Sequence, residues 1–198
     1  MSKPTLKLFI FDMGGVVSRN ADVSRTVAAH LGLTLERFSE LAGEGFARLI
    51  TGKISGKEFW EVFSKRSGLQ VREDLLARFF KPHREQQVVE LVGSLRGKAR
   101  VVVGTNTIPS HYRIHLERGD YERFDAVYAS HLMGLAKPDP DFYRYILHHE
   151  NCAAEEAVFT DDLPENVQAA ALLGIHSFLF TGVSNLKKQI EELQRTEQ

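Results

Sequence analysis

The chain has 198 residues, 43% of them hydrophobic and 26% charged, with 25 basic against 26 acidic side chains. That suits one globular domain, or a core carrying a modest insertion, and is enough to bury a real core. A net charge of −1 leaves no electrostatic footprint for nucleic acid and no attraction to an anionic membrane surface.

The N-terminal stretch MSKPTLKLFIFDMGGVV carries an apolar run that ends at Asp12. It has no small-residue cleavage site, so it reads as a strand over 6–11 and not as a signal peptide. Nearly continuous apolar character predicts a strand buried on both faces. Gly14 and Gly15 follow and allow a tight turn. From 22 to 92 the apolar residues recur at helical spacing, which predicts four helices and no strand. Phe38, Phe46, Phe59, Trp60, Phe63, Phe79 and Phe80 read as the core of that segment, with one or two free to line a pocket. Beyond it, helices over 86–95, 140–149 and 165–173 alternate with strands over 99–103, 126–128, 157–160 and 177–180. An amphipathic helix over 185–195 closes the chain, and 196–198 is expected to fray. Strands alternating with helices imply a parallel sheet covered on both faces. No apolar run reaches the ~18 to 20 residues of a membrane span. The single cysteine, Cys152, excludes an intrachain disulfide and a cysteine-built zinc site. The expected compartment is the cytoplasm. His148 and His149 are adjacent, share no helix face and show no metal spacing.

Ligands of open α/β sheets bind beyond the carboxyl ends of the strands. Four polar clusters are predicted there: Asp12, then Thr105 with Asn106, then Lys137, then Asp161 with Asp162. Asp12 could cap a turn, attack as a nucleophile or bind a metal. Thr105 and Asn106 could cap a helix or hold an oxyanion. Lys137, extended before Pro138, could be a solvated lysine or could balance a phosphate and a carboxylate. Asp161 and Asp162 repel one another unless a cation joins them, and with Asp12 they suggest Mg²⁺. Nucleophile, oxyanion donors, cation and metal carboxylates, in that order, suit phosphoryl transfer.

These residues resemble the haloacid dehalogenase superfamily of Mg²⁺-dependent phosphohydrolases over nearly the whole chain. FIFDMGGVV, VVVGTNT, LAKPDPDFYRYIL and VFTDDLPENVQAAALLGI are similar to its four motifs. The nearest likeness is to subfamily IA, in the branch of bacterial α-D-glucose-1-phosphate phosphatase and the N-terminal phosphatase domain of soluble epoxide hydrolase. That branch shares the spacing of Asp161, Asp162 and Asn166. The resemblance implies a Rossmann-like three-layer α/β core with a parallel sheet, at 1–17 and 92–198. It implies a small helical-bundle cap at 18–91, inserted after the first strand. Asp12 would form an aspartyl-phosphate and bind Mg²⁺ together with Asp162 and the Gly14 carbonyl, with Asp161 in support. Thr105 and Asn106 would hold the phosphoryl group, and Lys137 would neutralise charge between phosphate and Asp12. The implied substrate is a small phosphorylated metabolite, such as a sugar phosphate. The expected assembly is a monomer or weak homodimer, with neither nucleic acid nor membrane as partner.

The chain departs from the family pattern at position 14. The family's Asp-x-Asp has a second carboxylate as general acid and base, and here glycine replaces it. General acid–base catalysis is worth roughly 10²- to 10⁴-fold. Three ways out are open. The substrate could have a leaving group that departs readily, such as an anomeric sugar phosphate. A cap residue such as His30, Glu44 or Arg48 could supply the proton. Or the fold could bind a phosphorylated ligand without turning it over. Haloacid dehalogenation would leave the paired acids without a role. Phosphonate cleavage would need a Schiff-base lysine from the cap, and nothing marks Lys53, Lys57 or Lys65 as buried.

Overall fold

Four apolar residues in a row, Leu8–Phe11, form strand β1, and all four are buried. The structure, a computed structural model, describes residues 5–196. The further strands are β2 (Ser18–Arg19), β3 (His83–Arg84), β4 (Arg100–Thr105), β5 (Ala126–Ala129), β6 (Ala157–Asp161) and β7 (His176–Leu179). A five-stranded sheet runs in the order β5-β4-β1-β6-β7, and every pairing in it is parallel. Successive strand residues point to opposite faces. Phe9 and Phe11 accordingly pack with Val101 and Val103, while Leu8 and Ile10 pack with Val102 and Phe159.

The helices are α1 (Ser24–His30), α2 (Leu35–Ile50), α3 (Gly56–Ser67), α4 (Leu75–Phe79), α5 (Gln86–Leu95), α6 (Pro109–Glu117), α7 (Ser130–Met133), α8 (Pro140–His149), α9 (Pro164–Ala171) and α10 (Val183–Thr196). On one face of the sheet α5 brings Val88 and Val92, and α10 brings Leu186 and Ile190. On the other face α8 brings Phe142, Tyr143 and Ile146, and α9 brings Ala170. This is the expected three-layer α/β core. The first four helices bury a separate cluster that includes Phe38, Phe59, Trp60, Phe63 and Leu76. In α3, Ser55 and Glu58 form a reciprocal capping box, which satisfies donors left open at the helix start. No helix among the described residues is long and apolar enough to cross a membrane.

Three expectations change. The segment 22–92 does contain a strand, since β3 pairs antiparallel with β2 as Ser18↔Arg84 and Arg19↔His83. Two residues are too few to show an alternating pattern. Lys137 does not directly follow a strand, because α7 stands between it and β5. Thr196 is still helical, while residues 197–198, where fraying was expected, lie outside the described residues.

Candidate active site

The sheet register brings the site together. Phe11 is level with Val103 on one side and with Thr160 on the other. One step further along, Asp12, Gly104 and Asp161 stand in a row across three adjacent strands. The Lys137 ammonium lies on that row. It donates to Asp12 Oδ1 at 2.6 Å, to Asp161 Oδ2 at 2.6 Å and to the Gly104 carbonyl at 2.9 Å. An ammonium has three N–H donors, and all three are used. The lysine therefore stands between two carboxylates, and it engages Oδ1 of Asp12 while Oδ2 lies on the Gly14 side. Its side chain is 1% exposed.

The neighbours hold this arrangement. The Asn106 amide accepts from Lys137 N at 2.9 Å and donates to Lys137 O at 2.8 Å, which fixes the backbone of an otherwise irregular segment. Asn166 Nδ2 donates to both oxygens of Asp161, at 3.0 and 3.1 Å. Leu163 N donates to Asp161 Oδ1 at 2.9 Å. Tyr143 donates its hydroxyl to the Asn166 carbonyl at 2.8 Å. Thr105 ends β4 and is buried; its hydroxyl meets the Asn106 carbonyl at 3.5 Å. Asn106 and Thr107, and not Thr105, line the cavity at that point.

Asp12, Asp161 and Asp162 each offer a carboxylate oxygen within 4.8 Å of the others. Two are buried and Asp162 is exposed. Gly15 makes this possible. Its φ is +79°, and a Cβ there would lie 2.0 Å from Asp162 Oδ2, so a side chain would displace the carboxylate. Burial is the largest influence on Asp12 and pushes its carboxyl up to about 7; Lys137 pulls it back and Asp161 pushes it further. Burial also raises Asp162, followed by repulsion from Asp161. Burial alone would lower Lys137, but Asp12 and Asp161 outweigh it and hold the ammonium above its ordinary value. With all four groups ionised, the cluster carries two uncompensated negative charges. A divalent cation would balance them.

Above the row lies a cavity of about 700 Å³. Of the proposed cap proton donors, His30, Glu44 and Arg48 are all exposed and none lines this cavity. His111, Asp22 and Arg19 do line it, and no sequence signal singled them out. His111 lies on α6 and donates Nε2–H to the Leu76 carbonyl on α4 at 3.1 Å. A carbonyl can only accept, so the proton is on Nε2. Its ring stacks on Phe80 with centroids 3.7 Å apart. Burial lowers its pKa to about 4. Phe46 is the one aromatic of the cap-core set that faces the cavity.

The model of the haloacid dehalogenase-like hydrolase family matches residues 6–174. A sesquiterpene phosphatase of Aspergillus oryzae, astK, is 29% identical over 184 residues, covering 87% of this chain and 90% of that one. A protein described as a predicted HAD-like family hydrolase from Porphyromonas gingivalis superposes with a TM-score of 0.81 at 25% identity, over 96% of this chain and 98% of that one. A HAD family enzyme of Bacteroides thetaiotaomicron, in complex with magnesium and inorganic phosphate, superposes with a TM-score of 0.71 at 21% identity, over 88% of this chain and 93% of that one.

Proposed function

The chain belongs to the haloacid dehalogenase-like hydrolases, and on that premise we propose that it is a Mg²⁺-dependent phosphatase for a small phosphorylated metabolite. The carrying observation is the gathering of the Asp12, Asp161 and Asp162 carboxylates, with a buried lysine bonded to the first two. Mg²⁺ takes one or two carboxylates and leaves room for water and phosphate oxygens, which matches this donor set. Asp12, Asp162 and the Gly14 carbonyl would hold it, with Asp161, whose two oxygens are bonded to Lys137, Asn166 and Leu163, in support. When bound, it supplies charge neutralisation at the transferring phosphoryl group. The phosphatase relative and the magnesium and phosphate in the Bacteroides enzyme support the reading.

A carboxylate oxygen of Asp12 attacks phosphorus, the bond from phosphorus to the ester oxygen breaks, and the ester oxygen leaves with the organic group. Water then cleaves the aspartyl-phosphate, which releases inorganic phosphate and restores Asp12. Lys137 keeps Oδ1 engaged and orients the nucleophile. Thr105, Asn106 and Lys137 are assigned to the phosphoryl group, with Asn106 also fixing the Lys137 backbone. The same reading takes 1–17 and 92–198 as catalytic core and 18–91 as cap. The separate apolar cluster of the four cap helices supports this. Val88 and Val92 of α5 side with the sheet, which favours an end to the cap at the β2–β3 ribbon.

Gly14 favours a second reading, a protein that binds a phosphorylated ligand with little or no turnover. The test is phosphate release from p-nitrophenyl phosphate and a sugar-phosphate panel, with Mg²⁺ and with EDTA, in wild type and Asp12→Asn. Turnover that requires both Mg²⁺ and Asp12 is expected. Equal inertness of the two proteins across the panel would favour the binding protein.

A further inference from the structure

The cavity above Asp12 is too large for phosphate alone. At about 700 Å³ it falls within the ~300 to 1,000 Å³ of small-molecule sites. The sheet end supplies its polar part, Asp12, Asn106, Lys137 and Asp162. The cap segment supplies Val23, Phe46, Ile50 and Leu76, and Ile108 continues this apolar wall.

Most polar groups elsewhere on the wall are already engaged, while Asn20 and Ser24 also line it with no side-chain hydrogen bond among the described residues. Arg19 is bound to Glu85, with Nη2 to Oε2 at 2.9 Å. Asp22 Oδ1 accepts from Ser24 N at 2.8 Å, at the start of α1. Thr107 N donates to Ser130 Oγ at 2.9 Å. His111 donates to Leu76 O, and its uncharged ring stacks on Phe80. Asn20 is exposed. A sugar placed here would lose water from several hydroxyls and find few free partners, and a polar group buried without a partner costs binding.

We propose that the ester group accepted by this cavity is apolar and larger than a single phenyl ring, with Phe46 and Ile50 as its main contacts. The proposal rests on the phosphatase reading for the phosphate end and on the cap wall for the organic end. It also agrees with Gly14. An aryl oxide is a stable leaving group and departs without a proton donor, whereas an alkyl alkoxide does not.

The test compares 1-naphthyl phosphate, phenyl phosphate and glucose 1-phosphate with Mg²⁺. 1-Naphthol is somewhat the more acidic of the two phenols, so the pocket is read from the change in their ratio between wild type and the Phe46 variants, which share both leaving groups. Naphthyl should exceed phenyl phosphate by about tenfold in kcat/KM, from the apolar area of one more ring, and both should exceed the sugar phosphate. In Phe46→Ser the naphthyl-to-phenyl ratio should fall towards one, and in Phe46→Leu most of it should return. Thermal unfolding of both variants checks that the cap is intact. Better turnover of glucose 1-phosphate than of either aryl ester would overturn the substrate class and leave the phosphatase reading standing. If no ester is hydrolysed, that reading falls. Calorimetric binding of 1-naphthylmethylphosphonate against benzylphosphonate then decides the pocket separately: tighter naphthyl binding supports it, and equal or weaker binding refutes it.

Discussion

Position 14 holds glycine where the Asp-x-Asp pattern the chain resembles has a second carboxylate, and the obstacle to placing one there is a single methyl group. A Cβ on Gly14 would lie 2.9 Å from the Ala21 Cβ, well inside the ~3.5 to 4.0 Å at which carbon atoms pack. Gly14 and Ala21 are thus sterically matched. The Gly14→Asp variant is expected to lose about 1 to 3 kcal/mol by overpacking and to gain no activity on alkyl phosphates. Adding Ala21→Gly should recover the stability and raise alkyl-ester turnover, up to the ~10²- to 10⁴-fold of a general acid. Thermal unfolding and phosphate release on both variants check this. A stable, active single variant would show that the loop yields freely. The sequence made the missing carboxylate legible, because only a side chain was absent. It could not show what fills the space, because Ala21 lies seven residues away in an irregular segment.

At the scale of elements, the four-helix segment proposed as a cap is joined to the sheet-bearing part where α2 meets α7. Ser130 Oγ donates to the Ile50 carbonyl at 2.8 Å, and Gly52 sits against the His131 backbone. Gly52 has φ +66°, and a Cβ would lie 2.1 Å from the His131 carbonyl oxygen. Backbone cannot move aside as a flexible side chain can. Gly52→Ala is expected to cost more than the ~1 kcal/mol of an ordinary left-handed glycine, because the joint itself must open. Urea unfolding gives the stability, and limited proteolysis should find the cap loops cut sooner. A loss under ~1 kcal/mol with unchanged proteolysis would show that the joint adapts. Long periodic segments such as α5 and α8 were legible to the residue, because their apolar spacing is set by the face they bury. The β2–β3 ribbon was not, since two-residue strands are held by tertiary pairing. Asp12 and Asp161 were legible at strand ends, whereas Gly104, whose carbonyl accepts from the lysine, was not singled out because only its backbone takes part. Lys137 was named from the sequence, but its placement just past a strand was not right, because α7 separates it from β5 and the Asn106 clamp sets its backbone.

At the scale of the whole molecule, the apolar cluster of the first four helices meets the sheet and its helices across a seam, and His111 crosses it. The residue belongs to α6 and bonds to the Leu76 carbonyl of α4. Burial, the largest influence, lowers its pKa from 6.5 to about 4; the Leu76 carbonyl, Asp74 and Asp22 pull it up, and His115 pulls it down. Below pH 6.5 the unfolded chain takes up a proton that the folded chain refuses, so protonation favours unfolding. The contribution is fully present above pH 6.5 and is lost as pH falls towards 4. Below that the folded form is protonated too, and the loss levels off at no more than about 3 kcal/mol. Carboxylates titrate in the same interval, so the quantity to measure is a difference. Urea unfolding of wild type and His111→Phe across pH 7 to 4 isolates it, because phenylalanine keeps the stack on Phe80 and cannot titrate. The variant starts lower at pH 7, having lost the bond to Leu76, and the two curves should converge as the pH falls. Parallel curves would mean that the imidazole takes up its proton equally well in the folded chain, and that the seam is open to water.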